Sequence, residues 1–130
     1  MASTQRGRGG ETLILVVDDN RRLREGIVAQ LVDMTDCDVE DAANAEEALE
    51  IILRDPQKVK IVVTNFDMGS GLNGIQLADA VSNIPGARPI FVLWTKKIDP
   101  RVVSDRFSAM LQKCESAQLL VGKVIQLTGR

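Results

Sequence analysis

Six polar residues carry side chains that together could bind a metal ion and a phosphoryl group. Each one ends a predicted strand or follows it within three residues: Asp18, Asp19, Asn65, Asp67, Thr95 and Lys123. Carboxylate oxygens are ligands that Mg²⁺ prefers, while a hydroxyl and an ammonium group can donate hydrogen bonds to phosphoryl oxygens. These residue types therefore predict a small acidic pocket suited to Mg²⁺ and phosphate.

Short apolar segments must position these residues. Strands are predicted at residues 12–17, 37–42, 59–64, 89–95 and 118–122. Stretches with apolar residues at helical spacing lie between the strands, and helix starts are expected at Asn44 and at Asp99, which precedes Pro100. Such alternation predicts a parallel sheet covered by helices on both faces. In that architecture ligands bind beyond the carboxyl ends of the strands, where all six polar residues fall.

Length and composition fit one domain that buries a single core. The chain has 130 residues, 45% of them hydrophobic, and a net charge of −2. We assign residues 1–11 to a flexible tail and residues 12–130 to the domain. The charge argues against direct nucleic-acid binding, no apolar run is long enough to span a membrane, and the lack of histidine excludes imidazole chemistry. Cys37 and Cys114 lack metal-site spacing and are predicted to be reduced thiols in a cytoplasmic protein.

The segments around the polar residues resemble those of response-regulator receiver domains, the modules of two-component signalling that histidine kinases phosphorylate. The resemblance runs from Leu13 to Val124 and rests on LILVVDDN, AANAEEALEII, KIVVTNFDM with LNGIQLA, PIFVLWT and LLVGKV. It implies a flavodoxin-like, doubly wound α/β fold with a five-stranded parallel sheet of order 2-1-3-4-5. Only residues 123–130 would remain for the fifth helix, so that helix is expected to be short or truncated.

The resemblance assigns a role to most residues of the sheet edge. Asp18 and Asp19 take the positions of the acidic pair that holds Mg²⁺, and the backbone carbonyl of Asp67 completes the metal site. Thr95 and Lys123 take the positions of the hydroxyl and the lysine that bind the phosphoryl oxygens. The expected function is that of a receiver domain in a phosphorelay, which is a signalling module and not an enzyme.

The phosphoacceptor position falls on Asn65, whose amide cannot form the acyl phosphate. Losing a carboxylate here should weaken Mg²⁺ binding, and no other cofactor is implied. The family's aromatic residue before the lysine is replaced by Leu120 and its following proline by Val124. These departures favour an atypical receiver that acts by protein–protein contact, with a histidine kinase or a downstream signalling protein, or as a homodimer. Residues 102–114 and 118–121 would supply most of that surface.

Two other functions fit parts of the sequence. The chain could be a working phosphoacceptor that uses Asp67 or Asp19, or one in which Asn65 replaces a native aspartate. The loop from Gly69 to Gly74 also matches the G-x-G-x-x-G pattern of dinucleotide-binding proteins. Nucleotide binding is the weaker of these two alternatives, because the loop follows the third predicted strand and no acidic residue ends the fourth strand.

Overall fold

The computed structural model describes residues 4–6, 12–69, 71–96, 106–113 and 117–128. Within these ranges the elements, in chain order, are β1 (Thr4–Arg6), β2 (Leu13–Val17), α1 (Arg21–Met34), β3 (Asp38–Ala42), α2 (Ala45–Arg54), β4 (Val59–Thr64), α3 (Gly74–Ser82), β5 (Ile90–Thr95), β6 (Phe107–Gln112) and α4 (Ala117–Thr128).

The strands form one six-stranded sheet in the order β1-β3-β2-β4-β5-β6. The five strands β2 to β6 are parallel to one another, so the predicted order 2-1-3-4-5 and the flavodoxin-like fold class are confirmed. The sixth strand, β1, lies within the segment predicted to be a flexible tail. It pairs antiparallel with β3, with Thr4 opposite Glu40 and Arg6 opposite Asp38.

Apolar strand residues are buried on both faces of the sheet, as the unbroken apolar runs predict. In β2, Leu13, Leu15 and Val17 pack on the side covered by α2 and α3. Ile14 and Val16 point the other way, toward α1 and α4. The alternation follows from the two-residue period of a strand. The two layers of helices therefore cover both faces of the central strands, whose carboxyl ends remain open.

Trp94 of β5 belongs to the layer beneath α1 and α4. It is the only tryptophan in the chain, and its side chain is almost fully buried, with 3% of its surface exposed. It packs in the same cluster as Ile14, Val16 and Val92. Because the next residue, Thr95, ends the strand, the core reaches directly up to the edge where the polar residues lie.

Asparagine side chains start three of the helices at the sheet edge. Asn20, Asn44 and Asn73 each accept a hydrogen bond from a backbone N–H of the first turn, at 3.0, 2.8 and 2.9 Å. Such caps satisfy N–H groups that have no partner within the helix. The predicted helix start at Asn44 is thus confirmed, and the caps fix where each loop ends and its helix begins.

The last third of the chain differs from the prediction. Residues 118–122, predicted to be the fifth strand, lie inside the helix α4. The fifth parallel strand is β6, Phe107–Gln112, which the helical spacing of apolar residues had suggested to be a helix. The predicted helix start at Asp99 lies outside the described residues. The closing helix is 12 residues long and begins before the position expected for it.

Cys37 is a buried free thiol at the start of β3. Burial raises the pKa of the Cys37 thiol, which keeps it neutral and makes it a poor nucleophile. This agrees with the prediction of a reduced thiol, whereas Cys114 lies outside the described residues. In the part of the chain that the structure describes, no helix is both long enough and apolar enough to cross a membrane.

Candidate functional site

An open cavity of about 530 Å³ lies at the carboxyl edge of the sheet. Four of the six predicted site residues line it, namely Asp19, Asn65, Asp67 and Thr95, together with two lysines that sequence reasoning did not assign. The full lining is Asp19, Asn20, Asn65, Phe66, Asp67, Gly69, Thr95, Lys96 and Lys113. The parallel strands explain the convergence, because their carboxyl ends all meet along this edge.

The lysine that follows the fifth parallel strand is Lys113, not Lys123. Lys113 directly follows β6, and its backbone N–H donates to the Thr95 carbonyl at 2.7 Å. Its Nζ lies 2.7 Å from Oδ2 of Asp18. Lys123 instead lies on α4, where its Nζ donates to Gln126 at 3.4 Å, and it does not line the cavity. The prediction of Lys123 was wrong because residues 118–122 are helical, so no strand ends at Lys123.

The two adjacent aspartates have different environments. The Asp18 side chain is 3% exposed, and its two oxygens face Lys113 Nζ and the Asn20 backbone N–H. Asp19 is exposed and lines the cavity. A buried carboxylate needs a cation and hydrogen bonds to remain charged, and Asp18 has both. Of these two aspartates, only Asp19 is therefore left to face a ligand.

Asn65 occupies the centre of the site and is buried, with 7% of its surface exposed. Its Nδ2 donates to the Asp67 backbone carbonyl at 2.5 Å and points toward Oδ1 of Asp19 at 3.4 Å. Both neighbours are acceptors, so the nitrogen and not the oxygen of the amide must face them. Position 65 thus presents a hydrogen-bond donor to the acidic side of the pocket, where a carboxylate would present two acceptors.

A buried ion pair next to the pocket connects α1 with β3 and with the backbone of Asp18. The Nε of Arg24 on α1 lies 2.6 Å from Oδ2 of Asp41 on β3, and the same guanidinium donates to the Asp18 carbonyl at 2.7 Å. The two side chains are 13% and 6% exposed. Helical spacing alone does not indicate which arginine of α1 turns toward a strand end, so the sequence does not predict this pair.

The side chains present do not form a metal site of three or more acidic groups. Among the residues that the structure describes, no cluster of three Asp, Glu, His or Cys side chains is placed to hold an ion. Mg²⁺ needs several oxygen ligands in near-octahedral geometry. Here Asp18 is paired with Lys113, and the Asp67 carbonyl accepts from Asn65. The donor set therefore does not fit Mg²⁺ as it stands.

The glycine-rich loop has structural reasons for its glycines. Gly69 and Gly71 have φ angles of 78° and 94°, which strongly favour glycine. A Cβ on Gly74 would come within 2.5 Å of the Asn65 backbone oxygen. The Leu72 N–H, which a phosphate-binding loop would offer to its ligand, donates instead to the Glu46 carboxylate at 3.3 Å. Among the described residues of this loop, which leave out residue 70, the geometry does not favour the nucleotide-binding alternative.

The sequence profile of the response regulator receiver domain matches residues 14–124. The chain belongs to this family. Receiver domains are signalling modules of two-component systems, generally without enzymatic activity of their own, and they commonly use Mg²⁺ at the phosphorylation site. No curated protein sequence matches the chain significantly.

Solved structures share the fold of this receiver domain. The chemotaxis protein CheY4 of Vibrio cholerae has a TM-score of 0.76 at 18% identity, covering 91% of this chain and 99% of that one. A receiver protein of Pseudomonas putida gives 0.74 at 23% identity, covering 92% and 97%. A receiver domain protein of Clostridium thermocellum gives 0.74 at 21%, covering 89% and 93%. Identities this low establish the shared fold only.

The assignment of Lys113 in place of Lys123 changes which residues occupy two further positions of the family pattern. Counted from Lys113, the position three residues earlier is Met110 and the position after it is Cys114. The resemblance calls for an aromatic residue and a proline there, so both are absent here as they were in the original assignment to Leu120 and Val124. The departures from the family pattern persist, although they fall on different residues.

Proposed function

We propose that this receiver domain does not accept a phosphoryl group at the usual position and acts by contact with protein partners. The observation that carries the proposal is Asn65, which directly follows β4, lies at the centre of the pocket and donates hydrogen bonds to Asp67 and Asp19. Acyl phosphate formation needs a carboxylate oxygen as nucleophile. An amide offers none, and this one is already engaged as a donor.

The rest of the phosphoryl site supports a domain descended from working receivers. Thr95 is buried at the end of β5, and Lys113 follows β6 with its ammonium group at the pocket. A hydroxyl and an ammonium group are the donors that a phosphoryl group needs. We therefore infer that the donors of the phosphoryl-binding framework are retained while the acceptor carboxylate is missing.

Binding, and not turnover, is then the expected activity. A receiver that cannot be phosphorylated can transmit a signal only by the surface that it offers to other proteins. We therefore expect a histidine kinase, a downstream signalling protein or a second copy of this chain as partner. The strand β6 and the helix α4 are expected to supply the contact surface, in part through Leu119, which is 54% exposed. Of the surface expected at residues 102–114 and 118–121, residues 102–105 and 114 lie outside the described residues.

The working-phosphoacceptor alternative rests on Asp67, which is exposed and lines the cavity. Its carboxylate, however, accepts from the Gly69 backbone N–H at 3.2 Å, and its backbone carbonyl, not its side chain, meets Asn65. A role in shaping the turn accounts for both contacts. Asp67 is thus the second candidate acceptor, and the first experiment must be able to detect it.

The test is the intact mass of the chain after incubation with acetyl phosphate and Mg²⁺. We expect no phosphoryl gain for the unmodified chain and a gain of one phosphoryl group for the Asn65→Asp variant, because that change restores the carboxylate at an otherwise retained site. An Asn83→Asp variant, which adds the same charge at an exposed position on the far end of α3, serves as the control.

A phosphoryl gain by the unmodified chain would contradict the proposal. The Asp67→Asn and Asp19→Asn variants would then identify the acceptor. If neither the chain nor Asn65→Asp reacts, the pocket has lost more than its acceptor, and the inference that the framework is retained fails.

A further inference from the structure

We propose that the amide of Asn65 and the ammonium group of Lys113 replace the divalent cation of this pocket, so that the site keeps its shape without metal. The inference rests on the proposed function, since it takes Asn65 to be a structural donor and not a damaged acceptor. It concerns what holds the acidic groups together, which is a separate matter from phosphoryl transfer.

The first step is the position of the Asn65 nitrogen. It contacts the Asp67 carbonyl at 2.5 Å and approaches the Asp19 carboxylate at 3.4 Å. By the family resemblance these are two of the oxygens that would otherwise face the ion. The amide nitrogen joins them through its two N–H groups, one for each acceptor, as a bound cation would join them through coordination.

The second step is the remaining carboxylate. Asp18 Oδ2 lies 2.7 Å from Lys113 Nζ, and its Oδ1 accepts from the Asn20 N–H at 2.9 Å. The carboxylate is buried, so a metal could reach it only by displacing the ammonium group. Displacement would leave Lys113, whose own side chain is 13% exposed, with a poorly solvated charge.

The third step is the balance of charge. One ammonium group neutralises Asp18, and the amide adds no charge beside Asp19. An aspartate at position 65 would instead place a further carboxylate next to Asp19 and remove both N–H donors. Like charges at this distance repel, and a cation relieves the repulsion. Asn65 therefore removes the electrostatic need for metal as well as the place for it.

The test is calorimetric titration of the full chain with MgCl₂ alone, for the unmodified chain and for Asn65→Asp. We expect the variant to bind Mg²⁺ about 10- to 100-fold more tightly, the range that loss of a metal-site partner usually costs. The melting temperature gives a second readout: that of the unmodified chain should not change with Mg²⁺, while that of Asn65→Asp should rise. Asn83→Asp controls for net charge and should behave like the unmodified chain.

Equal Mg²⁺ affinity in the unmodified chain and Asn65→Asp would overturn the inference. If Asn65→Asp does not fold, Lys113→Met gives the same test, since freeing Asp18 should strengthen Mg²⁺ binding, and unchanged or weaker binding would refute the idea. The two proposals fail separately. If the unmodified chain binds Mg²⁺ as tightly as Asn65→Asp but gains no phosphoryl group, only the present inference is overturned. If the unmodified chain gains a phosphoryl group, the proposed function is overturned.

Discussion

Replacing Arg24 by methionine is expected to lower the free energy of unfolding by about 3–5 kcal/mol, the usual effect of removing one partner of a buried ion pair. The change takes the guanidinium away from the buried carboxylate of Asp41 and from the carbonyl of Asp18. Methionine fills a similar volume, so the loss reports charge and hydrogen bonding and not a cavity. Chemical denaturation followed by circular dichroism measures it.

Arg21 provides the matched control for this prediction. It lies on the same helix and pairs with Glu25 four residues on, but the two side chains are 81% and 56% exposed. Arg21→Met should therefore leave stability nearly unchanged. The double variant Arg24→Met with Asp41→Leu, which replaces the pair by apolar groups, should recover much of the lost stability. Equal effects of Arg24→Met and Arg21→Met would show that the buried pair does not hold α1 to β3.

The Gly74→Ala variant is expected to lose about 1–3 kcal/mol of stability, the usual range for overpacking a close contact. The new methyl group would lie 2.5 Å from the Asn65 backbone oxygen and 3.2 Å from the Phe66 Cα. Both are backbone atoms, which cannot move aside as a flexible side chain can. The strand end that carries Asn65 must therefore shift, and we expect the variant to disturb the pocket as well as the fold.

Gly26→Ala separates this contact from the general effect of alanine in a helix. Gly26 lies within α1, and a Cβ there would meet nothing within 4 Å. In a helix interior, alanine is more stable than glycine by about 0.5–1 kcal/mol, so Gly26→Ala should stabilise the chain. Thermal and denaturant unfolding measure both changes in stability. If Gly74→Ala and Gly26→Ala changed the stability in the same direction, the close approach of Gly74 to Asn65 would not be the cause of the effect at Gly74.

Most of the fold could be predicted because its strongest signals are local. The runs that form β2 and β5 are continuous and almost entirely apolar, and the run that forms β4 is interrupted only by the exposed Lys60, as is typical of strands buried on both faces. Alternation with helical segments then leaves few topologies. The pairing of Thr4–Arg6 with β3 could not be foreseen, since this segment has no apolar pattern.

The exchange of strand and helix near the end of the chain has a physical cause. From Ala109 on, residues of β6 alternate between the two cores, with Met110 on one face and Ala109 and Leu111 on the other. Phe107 shares the face of Met110 because the register with β5 shifts between Phe107 and Ala109. Yet this edge strand is only partly buried, so its apolar signal is weak. In α4, Leu120, Val121 and Val124 lie on one buried stripe, and a short apolar run within that stripe resembles a strand.

The chemistry of the site was predictable from residue types, but its internal pairing was not. Asp19, Asn65, Asp67 and Thr95 meet in one cavity, as their positions at strand ends implied. Which lysine joins them depended on one strand assignment. That Asp18 is buried and Asp19 exposed depends on side chains more than 80 residues further along the chain and on α1, which no local pattern reports.

The burial of Trp94 has an optical consequence. The chain has no tyrosine and one tryptophan, so its near-ultraviolet emission comes almost entirely from one indole. That indole is 3% exposed, and its Nε1 has no hydrogen-bond partner among the described residues, a setting in which fluorescence is blue-shifted. Because Thr95 follows it directly, the wavelength of that emission reports on the strand that forms one wall of the pocket, without any label being attached.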